Sequence, residues 1–221
     1  MIQLPHLHQQ LETSGARLVA VSKTKSVEEI LELYHQGQRI FGENKVQELC
    51  DKFQALPKDI EWHLIGHLQT NKVKYIAPFV HLIHSVDSLK LLFEIDKQAE
   101  KCERVIPVLL QIHIAAEDTK FGLDRTELVE VLEYYCSPSS PLQHVQICGL
   151  MGMATNTEDE QQIHREFETL RELFQFVKSS YLIHRNDFKE LSMGMSGDYQ
   201  IALQHGSTLV RIGSLLFGSR S

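Results

Sequence analysis

Short apolar runs alternate along the chain with longer stretches whose apolar side chains recur every three or four positions, the two periodicities of strands and amphipathic helices. Residues 17–22 read as a first strand, and the segment from Ser26 then puts Val27, Ile30, Leu31 and Tyr34 on one helical face. Ser26 and Glu29 have capping-box spacing, and Gly37 is placed to end that helix. Further strands are predicted at 38–41, 60–65, 79–84, 105–114, 145–151, 190–193 and 208–212. Pro107 must fall near the start of its strand or at an irregularity. Helices are predicted from Glu43, over 71–76 with Pro78 as the stop, along the stripe Leu89, Leu92, Phe93 and Ala99, from Asp124, from a cap at Thr157 and Glu160, and over 198–204.

Eight strands, nearly every one followed by a helix, imply parallel pairing through right-handed crossovers, and eight such units can close. The predicted fold is a single (β/α)8 TIM barrel over residues 1–221, with a short N-terminal segment 1–15. An open doubly wound sheet is the competitor, but strand 1 runs into Lys23-Thr24-Lys25 where a dinucleotide fold would carry G-x-G-x-x-G. Leu4, Leu7 and Leu11 suggest a short leading helix. Pro5 is expected to interrupt its first turn, leaving the barrel floor thinly covered and the protein less stable.

Composition narrows the classes. With 221 residues and 43% hydrophobic content the chain can bury a sizeable core without a metal or disulfide staple. Its 22 Lys and Arg against 29 Asp and Glu give a net charge of -7, which disfavours a general nucleic-acid surface. No window has the length and apolarity of a membrane span, and the start lacks the regions of a signal peptide, so a cytoplasmic protein is expected. Cys50, Cys102, Cys136 and Cys148 form no C-x-x-C pair and read as buried or half-buried free thiols; zinc and dithiol redox chemistry fit them poorly.

In a barrel, function belongs at the carboxyl ends of the strands. There the sequence places Lys23, Asn44, His67, His84, Asp87, Met151, Ser196 and Arg211. Lys23 reads either as a strand-end surface charge or as an amine able to condense with an aldehyde, with Lys25 near enough to supply a second cation. Glycines and hydroxyls crowd the last thirty residues, from Gly194 and Ser196 to Gly213 and Ser214, either as turns or as an anion cradle. Arg211 lies inside an apolar strand, opposite in face to Val210 and Ile212, and requires a ligand or a buried acid. Asn44 and His67 are expected at the cavity mouth, and Met193 and Met195 in wall or core.

The segments VAVSKTKS from Val19, FGENKVQE from Phe41, WHLIGHLQTNK from Trp62, HSVDS from His84, KFGL from Lys120, GLMGMA from Gly149, LSMGMSGDYQIAL from Leu191 and GSTLVRIGSLLFGSR from Gly206 run in order across nearly the whole chain. In them the chain resembles the YggS/PROSC family of pyridoxal 5'-phosphate homeostasis proteins, which resemble the N-terminal barrel domain of alanine racemase. The resemblance implies a Schiff base between pyridoxal 5'-phosphate and Lys23, phosphate contacts from Ser196, Gly213 and Ser214, Arg211 against the pyridine nitrogen, and Asn44 in the ring pocket. Lys25 and Lys120 match lysines near or outside the pocket. An arginine at the ring nitrogen weakens the ring as an electron sink. A two-base racemase also needs a second domain, and none is expected after Ser221. The implied function is therefore a non-catalytic, monomeric carrier in vitamin B6 and amino-acid homeostasis. Its partners would be the cofactor itself and, transiently, apo-enzymes that accept it, with no nucleic acid and no membrane. The alternatives are a weak amino-acid racemase and a cofactor-sensing regulatory protein.

Overall fold

A computed structural model describes residues 3–116 and 121–218. In chain order the elements are α1 (Leu4–Thr13), β1 (Arg17–Val21), α2 (Val27–His35), β2 (Ile40–Glu43), α3 (Val46–Ala55), β3 (Glu61–Leu64), a 3-10 turn at Thr70–Lys72 running into α4 (Val73–Ile76), β4 (Leu82–Val86), α5 (Leu89–Lys101), β5 (Ile106–Ile112), α6 (Arg125–Tyr135), β6 (Val145–Gly152), α7 (Glu160–Ser180), β7 (Glu190–Met195), α8 (Tyr199–Gln204), β8 (Leu209–Ile212) and α9 (Ser214–Phe217). The strands pair in parallel and in sequence order, and β8 returns to β1 through the register Arg17–Leu209 to Ala20–Ile212. The barrel is closed, which rules out the open doubly wound sheet.

Strand alternation sorts the side chains into two layers. Leu18, Ala20, Phe41, Trp62, Leu64, Val210 and Ile212 face outward and pack beneath the helices. Val19, Leu82, Leu109, Cys148, Met151 and Leu209 fill the lumen. Polar residues interrupt that inner layer, since His63, His84, Ser192 and Arg211 are all buried. Arg211 thus lies on the face opposite Val210 and Ile212, as the alternation predicts.

Local chemistry explains the differences from the predicted elements. The capping box forms at Ser26, and Asp124 forms a second one with Glu127. The cap of α7 is Asp159, whose carboxylate accepts from the Gln161 and Gln162 amides, while Thr157 Oγ1 accepts from the Asp159 amide. Residues 79–81 do not begin β4. Phe79 and Val80 bond back to Ile76 O, and the Phe79 ring stacks on Phe53 of α3 at 3.9 Å. Glu43 ends β2 and is fully buried instead of opening a helix. Pro5 falls in the first turn of α1, where its missing amide has no intrahelical partner to lose, so the helix is intact and buries Leu4, Leu7 and Leu11. All four cysteines are free, with Cys136 exposed instead of half-buried.

Candidate functional site

The carboxyl ends of β1, β2, β7 and β8 border a cleft of ≈ 350 Å³. It is lined by all six residues singled out in the sequence: Lys23, Asn44, Ser196, Arg211, Gly213 and Ser214. Val21, Ile65, Met153, Met195 and Phe217 supply apolar wall.

Lys23 follows the buried Ser22 and stands half-buried in a tight turn closed by Lys25 N–H to Ser22 O at 3.0 Å. The next residue, Thr24, has φ of 66°, a left-handed conformation that β-branched residues avoid. A network behind the turn holds it there. The Thr24 amide donates to Glu48 Oε1 at 2.6 Å, and buried Lys52 donates 2.7 Å bonds to Ser22 O, Glu43 Oε1 and Glu48 Oε1. Ser22 Oγ adds a 2.6 Å bond to Glu43 Oε1. Burial raises the Glu43 pKa, outweighing the bonds from Lys52 and Ser22, and its Oε2 is buried without a hydrogen-bond partner. Lys25 lines the cleft as well, but its Nζ is engaged by Glu29 Oε1 at 3.0 Å and Phe217 O at 3.3 Å.

Arg211 donates to Ser192 Oγ at 2.6 Å and to Gly152 O at 3.0 Å. Among the described residues no carboxylate forms an ion pair with it. Burial pulls its pKa down to about 10 against the opposing field of Asp198, which still leaves a full positive charge at neutral pH. A buried acid, Asp198, is near enough for its charge to act on Arg211 but forms no ion pair with it, so the guanidinium faces the cleft with no carboxylate bonded to it. Behind it, Ser192 Oγ meets His84 Nδ1 at 2.9 Å and His84 Nε2 meets His63 Nδ1 at 2.9 Å. Burial holds the pKa of both rings well below the ordinary histidine value.

Also lining the cleft, Ser196 Oγ accepts from the Gly213 amide at 3.4 Å. A Cβ on Gly213 would lie 3.1 Å from Val21 O, so a bare backbone suits the close approach of β8 to β1 there. Gly66 plays a similar part under Asn44, since its Cβ would meet Asn44 O at 2.4 Å.

Other residues expected at the mouth lie elsewhere. His84 is in the middle of β4 and Met151 in β6, both buried in the lumen, because β4 begins later and β6 ends later than the apolar runs suggest. His67 lines a separate surface groove with Asp87, to which it pairs at 3.3 Å, and its ring also stacks on Phe121. Lys120 lies outside the described residues. Met195 lines the cleft as wall, as expected, whereas Ile65, Met153 and Phe217 went unread because they look like ordinary strand-end and helix residues.

Residues 4–221 match the family model described as the alanine racemase N-terminal domain. A pyridoxal phosphate homeostasis protein of Aquifex aeolicus is 42% identical over 206 residues, covering 93% of this chain and 87% of the relative. The chain belongs to the pyridoxal phosphate homeostasis protein family. A member-like structure is PipY of Synechococcus elongatus with pyridoxal phosphate bound, 36% identical with a TM-score of 0.86 over 97% of this chain and 98% of PipY. Outside the homeostasis proteins, the alanine racemase of Bartonella henselae shares the fold at 16% identity and a TM-score of 0.68, but the match spans 59% of the racemase chain.

Proposed function

We propose that this protein binds pyridoxal 5'-phosphate in the cleft beside Lys23 and holds it in reserve, as a non-catalytic carrier serving cofactor homeostasis. The observation that carries the reading is the buried cationic Arg211, with no carboxylate bonded to it, lining one cleft together with Lys23 and with Ser196, Gly213 and Ser214. A phosphorylated heterocyclic aldehyde matches each part. Ser196, Ser214 and the Gly213 amide take the phosphate, Arg211 donates to the ring nitrogen, Asn44 borders the ring, and the Lys23 amine holds the aldehyde carbon as a Schiff base. The cleft volume falls in the range of small-ligand sites, roughly 300–1,000 Å³.

When bound, the cofactor supplies an electron-withdrawing ring. Arg211 limits that chemistry because a guanidinium donates a hydrogen bond without yielding its proton. Among the described residues, those lining the cleft include no carboxylate, imidazole or phenol, and its second amine, Lys25, is paired with Glu29. The described residues lining the cleft thus offer no second unpaired acid or base for two-sided proton transfer. The same reading makes the protein a cytoplasmic monomer that passes the cofactor transiently to apo-enzymes. No helix among the described residues is long and apolar enough to cross a membrane.

The test is cofactor titration followed by incubation with L- or D-alanine in deuterated buffer. A visible absorbance that saturates at one equivalent, with no exchange of the amino-acid α-proton, is expected. Saturable binding with α-proton exchange would replace the carrier with a racemase, and absence of saturable binding would overturn both.

A further inference from the structure

We propose that Glu61, His63 and His81 form a divalent transition-metal site, best suited to zinc, at the end of the barrel opposite the Lys23 cleft. Strand periodicity puts Glu61 and His63 on one face of β3, and His81, just before β4, is brought alongside by its amide bond to Trp62 O at 2.8 Å. One ligand atom from each of the three lies within 4.8 Å of the others. His81 Nε2 and Glu61 Oε2 are 3.4 Å apart, about the edge of a tetrahedron whose metal bonds are ~2.0–2.1 Å.

The second observation is His63 itself. Its side chain is 1% exposed, its Nδ1 is taken by His84, and its Nε2 is buried with no hydrogen-bond partner. A buried ring nitrogen left unpaired costs free energy, and a metal ion removes that cost. With Nε2 on a metal, the His63 proton sits on Nδ1 and donates to His84 Nε2, while His84 Nδ1 donates in turn to Ser192 Oγ. Such a bond from the far nitrogen is the usual support of a metal-bound histidine. Of the cations lining the cleft at this end, Arg17 and Lys189, Arg17 is matched by Glu190 at 2.7 Å. His63 and His81 also line a cleft of ≈ 290 Å³ at this end, from which water can fill the fourth position. The cysteine spacing gave no hint of this, since the ligands come from β3 and the residue just before β4 and include no thiol.

The experiment is zinc titration of the full chain by calorimetry, with and without pyridoxal phosphate, followed by cobalt substitution and visible spectroscopy. One equivalent should bind at micromolar concentration or tighter, with the absorbance of a tetrahedral cobalt centre. His81→Gln and Glu61→Gln, both at solvent-accessible positions, should each weaken binding by on the order of 10–100-fold or more. His205→Gln removes a ring from the surface cluster of His164, His205 and Glu168 and should leave binding unchanged. No binding below millimolar zinc would overturn the proposal. So would an affinity unchanged in both the His81 and Glu61 variants, or one lost with His205. Because the titration is read in the cofactor-free protein as well, failure of the metal site and failure of the cofactor reading are separable.

Discussion

Lys52 sits behind the turn that presents Lys23, and replacing it with methionine should be among the most damaging single changes in the protein. Its Nζ is bonded to Ser22 O, Glu43 Oε1 and Glu48 Oε1, and the Lys52 and Glu43 side chains are 7% and 0% exposed. Methionine fills much of the same volume but leaves the Glu43 carboxylate buried without its cation. Breaking a buried pair from one side costs ~3–5 kcal/mol. For a chain of this length that corresponds to a fall in melting temperature of roughly 6–20 °C. Urea unfolding followed by circular dichroism measures the loss, and Glu43→Gln in the Lys52→Met background should recover most of it by removing the stranded charge. Proton linkage gives a second signature. Burial already raises the folded pKa of Glu43, and losing Lys52 raises it further. A carboxyl whose folded pKa exceeds its unfolded value is most stabilising when protonated. The deficit of the Lys52→Met variant relative to the unaltered protein should therefore be smallest below ~4.3, the ordinary glutamate value, and grow as pH rises toward the folded pKa. A loss under ~1 kcal/mol, or a double variant no more stable than Lys52→Met alone, would refute the reasoning.

Three further outcomes follow from the cleft. Ser196→Ala should weaken pyridoxal phosphate binding about 2- to 12-fold, the worth of one hydrogen bond, while leaving binding of unphosphorylated pyridoxal unchanged in the same absorbance titration. Arg211→Met should weaken it roughly 10- to 150-fold for both aldehydes, since the bond lost is to the ring and not to the phosphate. Gly66→Ala forces a methyl against the Asn44 backbone and should lower stability by ~1–3 kcal/mol in urea unfolding, together with reduced cofactor affinity.

The barrel was legible because its signals are local: eight short apolar runs, helical stripes between them, and a capping box at Ser26 that formed as spaced. Strand ends were less legible. Phe79 has the apolarity of a strand residue, yet it packs on Phe53 in a turn, and that offset moved His84 from the expected rim into the lumen. Strand ends pointed to Lys23, Asn44, Ser196 and Arg211, the last also as a charge on an inward face, and the glycine-hydroxyl cluster to Gly213 and Ser214; motif resemblance singled these six out from the other candidates. The Glu43–Lys52–Glu48 clamp and the Glu61–His63–His81 cluster were not found, because both join residues from different elements whose individual positions look ordinary.

The central claim is that the Lys23 amine carries the cofactor. The direct measurement is borohydride reduction of the protein loaded with pyridoxal phosphate, followed by peptide mass mapping. One pyridoxyl group on the peptide containing Lys23, absent in Lys23→Ala, is the predicted result; no adduct after loading, or an adduct mainly on another lysine such as Lys25, would contradict it.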